Sequence, residues 1–153
     1  VYGPDRLREF LAELDVLALC VPRTSETEGM IGRAELSAMK ETAILVNVAR
    51  GAVVDQAALI DALRSGRLAH AILDVFETEP LPADSPLLAP ELAERVLVTH
   101  HLGSGTRRTR LSPDPAVGMA GRTVHALLDG LSDSPVGTWA GTGSACIWTT
   151  TAN

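Results

Sequence analysis

Cysteine is scarce in this chain: Cys20 and Cys146 are the only two in 153 residues, too few for a disulfide framework. Cys20 lies in an apolar run and reads as a small buried hydrophobe. No uninterrupted apolar stretch reaches membrane-spanning length, and the N-terminus lacks the charged, apolar, small-residue order of a signal peptide. A reduced, cytoplasmic setting is the expectation, with no membrane as partner. Positive charge is short as well. The net charge of −6 argues against nucleic acid as a partner, which would want a basic face. There is no internal repeat. What remains is 46% hydrophobic, with 21% charged residues, enough for a domain with a real core and far from a disordered composition.

The apolar residues are grouped in an informative way. Leu7, Phe10, Leu11 and Leu14 recur at helical spacing. Val16 to Val21 is a short, wholly apolar run, the pattern of a parallel strand buried on both faces, and Pro22 stops it. A loop from Arg23 to Gly29 leads to a short helix around Ala34 to Met39. Ala43 to Val48 is a second buried strand, ended by a tight turn at Ala49-Arg50-Gly51. Gln56 to Ser65 is a helix with Ala58, Leu59, Ala62 and Leu63 on one stripe, and Gly66 ends it. Ala69 to Val75 is a third strand. A proline-rich connection, Pro80 to Pro90, precedes a fourth at Val96 to Thr99. Helices alternating with apolar strands predict an α/β fold with a doubly wound parallel sheet.

Charge is placed where these strands end, and ligands of open parallel sheets bind at the carboxyl ends of strands. Arg50 follows the second strand. Its guanidinium stays charged and presents a planar fork that matches a carboxylate. Glu79 follows the third strand, and His101 the fourth. An imidazole gives and takes protons near neutrality, and a carboxylate bonded to it favours the protonated ring and selects its tautomer. Reduction of a 2-keto acid needs, besides hydride, a clamp for the carboxylate, a proton donor at the carbonyl oxygen and a rigid seat for the nicotinamide. Arg50 fits the first role, His101 the second, and Glu79 a supporting one. Taken alone, Arg50 could equally satisfy strand-end carbonyls, and Glu79 could be a solvated loop acid. His100 competes with His101 by position.

Three motifs narrow the choice. They are Met39 to Asp55 (MKETAILVNVARGAVVD), Asp74 to Pro80 (DVFETEP) and Thr99 to Ser104 (THHLGS). In this order and at these separations the chain resembles the D-isomer-specific 2-hydroxyacid dehydrogenases, which include the glyoxylate/hydroxypyruvate reductases. The resemblance covers roughly residues 5 to 110. It implies a Rossmann-like domain, NAD or NADP as cofactor, a small 2-keto/2-hydroxy acid as substrate, a homodimer, and no metal. It assigns catalysis to Arg50, Glu79 and His101, choosing His101 over His100 because the family usually has proline at the preceding position. It places Val48, Ala49, Arg50 and Asp74 around the nicotinamide, with Asp74 accepting from the carboxamide, and His101, Gly103 and Ser104 closing over the ring. Val21, Pro22 and Thr27 match the stretch beside the adenosine and pyrophosphate. His70 and His125 are read as structural or exposed.

The glycine fingerprint GxGxxG of a dinucleotide domain is missing. Gly141-Thr142-Gly143 begins a GxG, but no strand is expected before it and no third glycine follows. The resemblance puts the glycine loop upstream of Val1. The chain is therefore expected to be the C-terminal half of the dinucleotide-binding domain (1–110), truncated at the N-terminus. A crossover helix (111–130) disrupted by Pro113 and Pro115 and an irregular tail (131–153) would follow. Such a fragment alone is expected to bind cofactor weakly or not at all, and to show no turnover. A non-enzymatic dinucleotide-sensing corepressor on the same fold, and a fragment without function, stay open alternatives.

Overall fold

Four strands follow directly from the apolar runs. In the computed structural model, which describes residues 4–104, 136–140 and 146–150, β1 (Val16–Leu19), β2 (Ile44–Asn47), β3 (His70–Leu73) and β4 (Val96–Val98) pair in parallel in the order β4-β3-β2-β1. Each is shorter than its apolar run by one to three residues, because the flanking apolar residues leave the ladder for the turns. β1 ends at Leu19, three residues before Pro22.

Side chains alternate across a strand, so the sheet has two unlike faces. Leu17, Leu19, Leu45, Ala71 and Leu73 point toward the helices α1 (Leu7–Glu13), α2 (Arg33–Ala38) and α3 (Gln56–Arg64), and join them in one core. Val16, Ala18 and Val46 form a smaller cluster on the opposite face, with Cys20, Ile44, Val48 and Ile72 half-buried around it. The stripe expected on the third helix is the buried face of α3, extended by Ile60. Asp55 starts that helix by accepting from the Ala58 amide (2.9 Å). Gly66, at φ +76°, ends it in the left-handed conformation that glycine adopts without strain. Arg67 holds the carboxyl end of α2 by donating to the carbonyls of Ser37 (2.5 Å) and Met39.

The tail is where the expectation needs correcting. Within 131–153, read above as irregular, β5 (Val136–Ala140) and β6 (Cys146–Thr150) are antiparallel strands, and β6 pairs antiparallel with the outer edge of β1. The physical reason is an open edge: β1 is buried along its whole length, and an unpaired ladder there would leave amides and carbonyls unsatisfied. Thr, Trp, Val and Ile in these two stretches are strand formers, a signal that the Gly- and Ser-rich surroundings mask. A strand therefore does precede Gly141-Thr142-Gly143. A second strand follows it rather than a helix, so it is no dinucleotide loop. The disrupted crossover helix expected at 111–130 lies outside the described residues.

Candidate active site

Three loops leave the carboxyl ends of β2, β3 and β4, and the predicted triad stands on them. Local chemistry shapes the first. Asn47 is the last residue of β2 and is buried. Its Oδ1 accepts from the Ala49 amide (3.0 Å) and its Nδ2 donates to the Arg50 carbonyl (3.0 Å), so one side chain ties down the whole turn. Arg50 has extended backbone and an exposed side chain whose guanidinium donates to the Ala49 carbonyl (2.6 Å). Gly51 then starts a 3-10 turn pressed against the next loop. A Cβ built there would lie 1.9 Å from the Phe76 carbonyl carbon. Glycine is required at this turn for close backbone approach rather than for a positive φ.

On the second loop, Glu79 precedes a cis peptide bond to Pro80. Its Oε1 accepts from the Phe76 amide (3.0 Å), and its Oε2 lies 2.9 Å from Nδ1 of His101. The third loop carries His101 at φ +54°, a conformation uncommon for a residue with a side chain. Its amide donates to the Asp74 carbonyl (2.9 Å).

The Glu79 carboxyl is held below the ordinary glutamate value of 4.5. The His101 hydrogen bond is the main cause; partial burial opposes it, and the Phe76 amide and the charges of His101 and Arg50 add to it. An ionised carboxylate only accepts. Nδ1 of His101 therefore carries the hydrogen, and Nε2 is left for a reacting group. A lowered carboxyl value stabilises the fold in full above pH 4.5, and this contribution is lost as the pH falls through the lowered value. Glu79→Gln is accordingly expected to reduce the urea midpoint at about pH 6, with the difference from wild type shrinking as the pH falls below 4.5, a comparison denaturation curves can make.

The remaining predicted residues divide into groups. Ala49 is buried, and Val48 is half-buried against the smaller cluster. Asp74 is buried and accepts at both carboxylate oxygens from the 99–103 loop. Gly103 and Ser104 belong to the 3-10 turn Leu102–Ser104, and the Gly103 amide is one of the donors to Asp74. Val21, expected beside the cofactor, spends its side chain in the core, while Pro22 is exposed. Thr27 uses its hydroxyl within its own loop, donating to the Pro22 carbonyl (2.6 Å) and accepting from the Thr24 amide (2.8 Å). His100 and His70 are exposed; His125 lies outside the described residues.

Two residues escaped the sequence reading. Asn47 was visible as the one polar residue in the run ILVNV, where a buried amide must find partners. Thr99, whose hydroxyl donates to Asp74, opens the third motif but had no role to read, because its partner lies 25 residues away.

Four parallel strands with an arginine, a glutamate and a histidine on the loops at their carboxyl ends make this an α/β domain with its charged side chains at the edge where open parallel sheets bind ligands. The model of the family described as "D-isomer specific 2-hydroxyacid dehydrogenase, NAD binding domain" matches residues 1–103, and the chain belongs to that family. Glyoxylate/hydroxypyruvate reductase B of Yersinia pestis is 46% identical over 126 residues, 82% of this chain and 36% of that protein. Glyoxylate reductase of Aeropyrum pernix is 50% identical over 105 residues, 69% of this chain and 30% of that protein. The crystal structure of a D-isomer specific 2-hydroxyacid dehydrogenase from Xanthobacter autotrophicus Py2, in complex with NADPH and MES, superposes with a TM-score of 0.60. It is 40% identical, and the match covers 82% of this chain and 37% of that one. The chain thus spans about a third of the length of the curated relatives it matches. Among the described residues, no helix is long and apolar enough to cross a membrane.

Proposed function

We propose that this chain forms the nicotinamide side of an NAD(P)H-dependent reductase of small 2-keto acids, with glyoxylate or hydroxypyruvate as substrate, working as a cytoplasmic homodimer. The observation that carries the reading is the Glu79–His101 pair, which leaves Nε2 open on the rim that Arg50 shares. The names of the relatives favour a reductase over a dinucleotide-sensing corepressor.

The residues fit a nicotinamide nucleotide. Asp74 offers about four acceptor positions as a carboxylate, and the 99–103 loop fills three of them. One position on Oδ2 remains for a carboxamide. When bound, the nucleotide supplies the hydride that reduces the carbonyl carbon. The chain's own groups do the rest. Arg50 binds the substrate carboxylate through its planar fork and polarises the adjacent carbonyl. His101 donates the Nε2 proton to the carbonyl oxygen and takes it back in the reverse direction. Glu79 holds the ring in the tautomer that points Nε2 at substrate, and its negative charge stabilises the ring while both nitrogens are protonated.

Arg50→Gln in the complete reductase is expected to lower kcat/KM for glyoxylate by about 100- to 1,000-fold, the usual loss on removing one donor from a developing oxyanion. Arg50→Lys recovers little of it, because an ammonium cannot reproduce the fork. Steady-state oxidation of NADH and NADPH measures both variants, and wild-type rates in Arg50→Gln would remove the clamp from the mechanism.

A further inference from the structure

We infer that Asp74 is a positioning residue for His101, gripping the loop that carries the imidazole so that the ring meets Glu79. This rests on the role proposed above for the Glu79–His101 pair. Asp74 is 3% exposed and stands just beyond the end of β3. Its Oδ1 accepts from the Thr99 hydroxyl and from the Leu102 amide (2.8 Å), and its Oδ2 accepts from the Gly103 amide (2.8 Å). Its backbone carbonyl takes the His101 amide (2.9 Å). One residue therefore holds the loop on both sides of the histidine.

The grip has work to do. A histidine at φ +54° is strained, and it persists only where the surroundings over-determine it. The hydrogen bonds to Asp74 supply that determination. Three of them are made to the carboxylate, which roughly doubles their strength over neutral ones. Position 101 could not otherwise choose between facing Glu79 and swinging into solvent, since both members of the pair are partly exposed.

The groups facing Glu79 are His101, the Phe76 amide and the charge of Arg50. Glu77, two residues before it, is turned to the Gln56 amide (3.1 Å). The titration of Glu79 thus reports whether His101 is in place. In Asp74→Asn the side-chain oxygen still accepts from Thr99 and Leu102. The new amide, however, confronts the Gly103 amide donor with another donor.

The experiment is carbon-detected NMR titration of the Glu79 carboxyl in the full chain, for wild type, Asp74→Asn, Thr99→Val and His101→Asn. His101→Asn sets the full upward shift. Asp74→Asn is expected to reproduce most of that shift, with the Gly103 amide exchanging about tenfold faster, the equivalent of one hydrogen bond. Thr99→Val is expected to give a smaller shift in the same direction. A Glu79 titration that stays at its wild-type position in Asp74→Asn overturns the positioning role while leaving the functional reading intact. One that fails to move in His101→Asn removes the Glu–His pair, and with it the functional reading. Should Asp74→Asn not fold, Thr99→Val decides alone, and an unmoved Glu79 in that variant overturns the proposal.

Discussion

Gly51→Ala is expected to lower the melting temperature by roughly 10 °C, and to do so by forcing two loops apart. The added Cβ would sit 1.9 Å from the Phe76 carbonyl carbon, 2.0 Å from its oxygen and 2.4 Å from the Glu77 nitrogen. All three atoms are backbone, so no side chain can swing away. Neither loop yields easily. The Ala49–Arg50 turn is tied by both ends of the buried Asn47 amide. The opposing loop is anchored by the buried Phe76 ring and by its amide on Glu79. Overpacking a well-fitted site costs about 1–3 kcal/mol where side chains can adjust, and a backbone collision belongs at the upper end. A loss of about 3 kcal/mol is a large share of a net stability of roughly 5–15 kcal/mol and corresponds to the shift stated, on the order of 3–4 °C per kcal/mol. Calorimetry measures it directly; a melting temperature within about 2 °C of wild type would mean that the two loops slide past each other freely.

If the complete protein is the reductase proposed above, His101→Asn is expected to reduce its kcat by about 100- to 10,000-fold, the contribution of a positioned general acid, with a much smaller change in KM for the keto acid. Asparagine is the informative replacement. It tolerates the left-handed backbone that this position requires, so the variant removes the proton donor without adding strain. A loss confined to kcat identifies an interaction made only in the transition state. The measurement is a pair of steady-state profiles across pH, in which the variant should lose the limb that reports the imidazole. Retention of kcat within about threefold would transfer the proton to another donor, and the exposed His100 would be examined next.

Much of this was legible in the residues. Buried parallel strands announce themselves as unbroken apolar runs, and Arg50, Glu79 and His101 each follow one, so the order of the rim could be read along the chain. The exact strand ends could not, because whether Val48 or Val75 stays in the ladder depends on turns closed by Asn47 and Asp74 through space. The partners of Asp74 were hidden for the same reason. Hydrogen bonds to residues 25 to 29 positions away leave no periodic trace. The close approach at Gly51 was visible only as a glycine in a turn, and its purpose had to come from the Phe76 backbone. The two strands near the carboxyl end were obscured by composition, since glycine and serine around them outweigh the β-branched and aromatic residues within.

Arg50, Glu79 and His101 leave three adjacent strands, β2, β3 and β4. Neighbouring strands stand about 4.8 Å apart, so the strand ends from which the outer two loops depart are separated by roughly two such intervals, on the order of 10 Å. The spread of the three loops at their bases is in this sense ruled by the pitch of the main-chain ladder. Hydrophobic substitutions beneath the sheet should therefore soften the protein to heat well before they change the spacing of these loop bases.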